Sequence, residues 1–289
     1  MRNLYPGLTF LTVVAILISV LLTGCAPKHD QNSDSPTTEY SVSYPLQGVL
    51  LSRIAGDSVN VTVLIPPGVD TEHYEPSIQT LRSLENSRAY FTMGTPGFEE
   101  AILRKTSETL EKVDCASAIR HISGTHGDGE TDPHLWNSVR NAMSIAYSMR
   151  DWLICSDPKH AGGYNSRYSE VVDHLTAIDD SIASILATSR GKTFVVMHPS
   201  LSYFARDYGL RQIAMETEGK EASPKQLADR MDEARRSGAV IMVLDAAHPS
   251  GQAQTIARQL GLKTITVPLN GEDWEKNLLT IAKAIADGK

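Results

Sequence analysis

From residue 40 onward, short apolar runs alternate with stretches whose apolar residues recur three and four positions apart. The first pattern predicts strands and the second amphipathic helices. Strands are expected at 41–44, 59–65, 90–93, 193–197, 212–215, 239–244 and 264–267. Helices are expected at 46–55, 80–86, 98–109, 139–155, from 223 onward, at 252–260 and at 273–286. Ser223-Pro224-Lys225-Gln226 marks one helix start, with Ser as N-cap, Pro at the first helical position and Gln three residues after the cap. Residues 200–208 read as a polar-aromatic turn leading to Gly209.

The longest periodic element is 164–188. Tyr164, Tyr168, Val171, Val172, Leu175, Ile178, Ile182 and Ile185 share one helical stripe. Such a helix is about 37 Å long at 1.5 Å per residue, enough to cross between two lobes. Strand–helix alternation on both sides predicts an α/β protein: two lobes with mainly parallel sheets, at 40–161 and 191–289, joined by one long rigid helix at 162–190. The length of 289 residues suits two lobes, each burying its own core.

Charge narrows the function classes. A net charge of −7 and a pI near 5.7 argue against a nucleic-acid or anionic-membrane surface, which needs clustered Lys and Arg. At the N-terminus, Arg2 precedes an apolar stretch at 8–22 that ends in Leu22-Thr23-Gly24-Cys25. This reads as an export signal over 1–24 and resembles a bacterial lipobox, in which Cys25 is lipidated. Residues 25–39 then form a solvated tether without apolar periodicity. The expected location is outside the cytoplasm, lipid-anchored to a bacterial membrane. Cys115 and Cys155 remain; they could pair, though one pair is not a disulfide framework.

Three strand-to-loop junctions carry metal-ligating side chains: Glu72-His73, His134 and His198. Neutral imidazole is the commonest metal ligand at pH 7. Two or three such nitrogens plus a carboxylate make a tetrahedral zinc site. His198 follows the apolar run 193–197, so it should stand at the carboxyl end of a buried strand, where open α/β sheets place their ligands.

The matching stretches are Pro66-Pro67-Gly68 with Tyr74-Glu75-Pro76, Asp132-Pro133-His134-Leu135-Trp136, Asp157-Pro158 with Tyr164, and His198-Pro199-Ser200 with 203–209. They continue through 218–224 and Val267-Pro268-Leu269. On these the chain resembles the zinc- and manganese-binding solute-binding lipoproteins of ABC transporters, over essentially everything after the tether. The resemblance implies a two-lobed fold with a rigid linking helix, a divalent ion captured between the lobes, and a membrane permease as partner. It places His134 and His198 on the family's second and third ligands. The first falls on Glu72 by register, with His73 one place later, and both stay open.

Where manganese-binding members commonly carry Asp, this chain has Val267, which cannot coordinate. The fourth ligand is then water or a substitute such as His248. Loss of a hard oxygen donor tilts the expectation from Mn2+ toward Zn2+. The His-rich loop of zinc members is reduced to His121 and His126, while His160 and His174 read as helix-surface residues.

The rival classes are a zinc-dependent hydrolase and a surface adhesin on the same fold. No His-Glu-x-x-His helix and no Gly-x-Ser-x-Gly elbow is present. Gly191-Lys192-Thr193 mimics the end of a phosphate loop but leads into a strand instead of following one. An enzyme is therefore not expected.

Overall fold

In the computed structural model, the described residues are 37–71, 74–95, 97–123, 131–216 and 222–288. Among these residues, eight strands form two four-stranded sheets. The first has the order β2-β1-β3-β4, from β1 (Thr38–Val42), β2 (Val59–Val63), β3 (Ala89–Thr92) and β4 (Glu111–Asp114). The second repeats that order as β6-β5-β7-β8, from β5 (Thr193–Val196), β6 (Arg211–Ala214), β7 (Met242–Asp245) and β8 (Thr264–Val267). Every strand pair in both sheets is parallel, so the carboxyl ends of all four strands face the same edge of each sheet.

Nine α-helices connect these strands among the described residues: α1 (Pro45–Ala55), α2 (Ile78–Glu85), α3 (Phe98–Leu103), α4 (Val139–Ser156), α5 (Ala161–Ile185), α6 (Ser202–Tyr208), α7 (Pro224–Arg236), α8 (Ala253–Leu260) and α9 (Trp274–Asp287). The caps explain several boundaries. Ser138 accepts from the amide of Asn141 to open α4. Ser223 and Gln226 form the expected reciprocal capping box of α7, with Pro224 at its first turn. At α6, Gly209 ends the helix in the left-handed region at φ 66°.

Three expectations need correction. The helix expected at 98–109 stops at Leu103, where the chain turns through Lys105 and Thr106 onto the carbonyl of Ile102; the separate strand β4 follows. The expected turn after His198 closes into α6. Strand β1 begins at Thr38, two residues inside the stretch read as tether.

The 25-residue α5 is the expected long helix, with Tyr164, Val171, Leu175, Ile178 and Ile182 buried along its stripe. It does not separate two cores. One hydrophobic cluster runs from Tyr40 and Val42 in the first sheet, along α5, to Trp274, Leu278, Ile281 and Ile285 in α9. The reason is that α1, α4 and α9 all pack on α5. A second, smaller cluster (Val195, Ile213, Met215, Met231, Met242, Ile256) fills the space between the second sheet, α7 and α8.

Polar contacts reinforce the joint. Arg167 on α5 donates to the carbonyls of Ile54 and Ala55 at the end of α1, at 2.7 and 2.9 Å. Glu275 on α9 faces both Arg53 of α1 and His174 of α5, at 3.4 and 2.8 Å. Lys192 serves no phosphate: its Nζ donates to the carbonyls of Ile285, Ala286 and Gly288 at 3.0–3.2 Å, capping α9. Both Cys115, buried, and Cys155, exposed, carry free thiols.

Candidate metal centre

The carboxyl ends of β2, β4, β5 and β7 feed the loops that carry Asp70, His134, His198 and His248 respectively. Three imidazoles from these loops form a row. The ring centroids of His134 and His198 are 5.0 Å apart, and those of His198 and His248 are 5.3 Å apart. Imidazoles bound through one nitrogen to a single tetrahedral zinc have centroids about 5 Å apart, given nitrogen–metal distances of about 2.0–2.1 Å; the His134–His198 pair, at an interplanar angle of 69°, has that spacing, whereas His248 stacks parallel to His198 at 4°. His134 and His198 are buried, at 2% and 6% exposure.

Each ring has its Nδ1 beside a carboxylate of its own. Asp132 Oδ1 lies 2.9 Å from Nδ1 of His134, Glu216 Oε2 3.1 Å from that of His198, and Asp245 Oδ2 3.3 Å from that of His248. A carboxylate accepts only, so it selects the tautomer with the proton on Nδ1. In His134 and His198 Nε2 then keeps the lone pair, the arrangement in which protein carboxylates orient metal-binding histidines, whereas in His248 Nε2 also faces a carboxylate, Asp70 Oδ1 at 3.1 Å.

The supports reach further back. Asp132 Oδ1 also accepts from the amide of His134 at 2.9 Å, and Tyr203 of α6 donates to the carbonyl of Asp132 at 2.8 Å. Trp136 packs edge-on against His134 at 5.1 Å, and Tyr44 stacks on Trp136 at 4.5 Å. Asp245 Oδ1 accepts from the amides of Ala247 and Leu269, tying the β7–α8 loop to the loop after β8.

Electrostatics follow from these contacts. Burial works to raise the carboxyl of Asp132, but the ring and amide of His134 and the hydroxyl of Ser202 outweigh it and hold it below the usual carboxylate range. His248 is pushed above the ordinary histidine value, chiefly by its hydrogen bond to Asp245 and further by Asp70, against burial and His198. On the far side of Tyr44, burial raises the carboxyl of Glu99, opposed by donors from Ser43, Met93 and Thr95.

The structure thus brings together His134, His198 and His248. Among the described residues, no group of three or more His, Cys, Asp or Glu side chains is placed so that it could hold a metal ion. Glu72, His73, His126 and Cys25 lie outside the described residues, as does the signal segment. His121 is exposed. His160 pairs with Asp157 at 2.7 Å and His174 with Glu275, both on helix surfaces as expected. Val267 is buried at the end of β8.

Sequence reasoning missed the three carboxylates behind the rings. Asp132 and Asp245 had a signal, lying two and three residues before their histidines; Glu216 had none.

Known proteins were compared with the chain. A family model described as "ZnuA: Zinc-uptake complex component A periplasmic" matches residues 41–288. The zinc-binding lipoprotein AdcA of Streptococcus pneumoniae is 24% identical over 269 residues, covering 87% of this chain and 53% of AdcA. The chain therefore spans about half the length of that relative. A putative metal-binding protein of Chlamydia muridarum is 28% identical over 279 residues, covering 94% of this chain and 99% of its own. Among solved structures, the crystal structure of ZnuA superposes with a TM-score of 0.81 at 30% identity, covering 87% of this chain and 99% of that one. The fold and a family match over nearly all the described residues converge: the chain belongs to the periplasmic zinc-uptake component A family.

Proposed function

We propose that the protein captures a divalent metal ion, zinc, outside the cytoplasm and delivers it unchanged to the permease of an ABC importer, with Cys25 lipidated to hold it at the membrane. The observation that supports this reading is the buried pair His134 and His198, with ring centroids 5.0 Å apart and a carboxylate on each Nδ1 that leaves Nε2 available to an ion. Three imidazole nitrogens and one carboxylate oxygen form a set that zinc favours; manganese prefers more oxygen. His134, His198 and His248 supply the nitrogens, and the loop that carries Asp70, Glu72 and His73 supplies the remaining donor.

Donors on separate loops suit a cargo that must leave again, since a small displacement of one loop opens the shell. The test is calorimetric titration of the purified full chain with zinc and with manganese. Tight one-to-one zinc binding, weaker manganese binding and no hydrolysis of ester or peptide substrates are expected. Absence of zinc binding would overturn the reading.

A further inference from the structure

Glu99 is buried in the first turn of α3, and its carboxyl ties the turn after β1 to the turn after β3. The amide of Met93 donates to Oε1 at 2.9 Å and that of Thr95 to Oε2 at 2.8 Å. The hydroxyl of Ser43 also donates to Oε1, and Ser43 Oγ lies 2.7 Å from the hydroxyl of Tyr90. An acid can be buried this deeply because each of its oxygens meets a donor.

The network ends at the histidines. Thr95 Oγ1 lies 2.9 Å from the hydroxyl of Tyr44. The amides of Ser43 and Tyr44 both donate to Oε1 of Gln47 at 3.1 Å, and Gln47 Nε2 donates to the carbonyl of Phe91 at 3.1 Å. Tyr44 is thus held at its backbone and at its hydroxyl, and its ring stacks on Trp136, which meets His134 edge-on. All three rings are buried, and in a close-packed interior a shift of one displaces the next. Asp132 selects the tautomer of His134; the indole beside it limits how far the imidazole can tilt.

We propose that Glu99 is a positioning residue for metal capture: through Thr95 and Tyr44 it fixes Trp136, and Trp136 sets the tilt of the His134 ring. The proposal rests on the zinc-capture reading above. It gives a binding role to a carboxyl that touches no ion, and it makes the hydroxyl of Thr95 the link through which that role passes. A site whose supporting shell is loosened holds its donors less precisely and binds more weakly.

The test uses the full chain and measures zinc affinity, by competition with a chelator, beside the melting temperature of the metal-free protein. The variants are Thr95→Val, Glu99→Ala, the two combined, Glu99→Gln, and Lys192→Met as a control that loses stability at the amino end of β5. Thr95→Val and Glu99→Ala should each lower affinity by about 2–30-fold, the range for residues that act on a site through a packed network. The combined variant should lose no more than the weaker-binding single one, because both cut the same link. Glu99→Gln keeps an oxygen for the amides and a donor for Ser43 Oγ, so it should bind as wild type, as should Lys192→Met. Wild-type affinity in Thr95→Val or in folded Glu99→Ala, additive losses in the combined variant, or a loss in Lys192→Met that follows its melting temperature would each overturn the role of Glu99 and leave zinc capture standing. If Glu99→Ala does not fold, Thr95→Val decides. If the wild type binds no zinc, both readings fall.

Discussion

A single oxygen of Asp132 holds His134 at two points, 2.9 Å from its backbone nitrogen and 2.9 Å from its ring Nδ1. One atom thereby fixes both the position of the residue and its tautomer. Asp132→Asn, whose amide can present a donor where the carboxylate only accepts, is expected to weaken zinc binding by about 10–100-fold. Titration calorimetry against the wild type checks this, and an unchanged affinity would remove Asp132 from the site.

His134→Ala and His198→Ala should each lower zinc affinity by orders of magnitude, because each deletes a nitrogen donor instead of reorienting one. Competition against a chelator of known affinity measures the loss. Wild-type affinity in both variants would refute the centre.

Trp136 lies edge-on to His134, so an ion bound to that ring should alter indole emission. The other two tryptophans pack elsewhere: Trp152 against Tyr40 and Phe91, and Trp274 in the buried face of α9. Zinc should change the fluorescence of the wild type, and Trp136→Phe should abolish most of that change while retaining binding. A zinc-dependent signal that survives in Trp136→Phe would place the ion elsewhere.

Glu99 is buried, and burial raises its carboxyl above the ordinary value despite amide donors from Met93 at 2.9 Å and Thr95 at 2.8 Å. The folded state therefore holds this proton more tightly than the unfolded chain does. The resulting stabilisation is full below the unfolded pKa and is lost as pH rises through the raised folded value. Denaturant unfolding of the metal-free protein across that range should show the decline in wild type and its absence in Glu99→Gln. Parallel pH profiles for the two proteins would contradict it.

Lys192 donates to three carbonyls at the end of α9. Lys192→Met keeps the stem and removes the donors. It should cost about 1–2 kcal/mol, since charged hydrogen bonds to half-buried groups are worth about that much. The melting temperature would fall by about 2–4 °C per kcal/mol for a domain of this size. Zinc affinity should not change.

The alternation of strands and helices, the long α5 and the α7 cap were legible because each rests on local periodicity or on a residue's own hydrogen-bonding habits. Strand β4 was not: only Val113 of its four residues is buried, so no alternation announces it. Helix α6 has seven residues and opens on Leu201, which cannot cap; its one clear signal was Gly209. That His134, His198 and His248 stand on strand-end loops was legible from the motifs of the first two and from the apolar run before the third. The partners of Asp70 and Glu216 were not, because they are fixed by the meeting of two loops that sequence order keeps apart.

The continuous oily interior beneath both sheets, with α9 folded back onto α5, limits how the ion can come and go. A wide swing of one half away from the other would flood that interior with water, at a price far above what one bound cation returns. Loading and surrender should instead involve a few strand-end loops sliding by small amounts. Heating should accordingly melt the protein in one step, with no half outliving its neighbour.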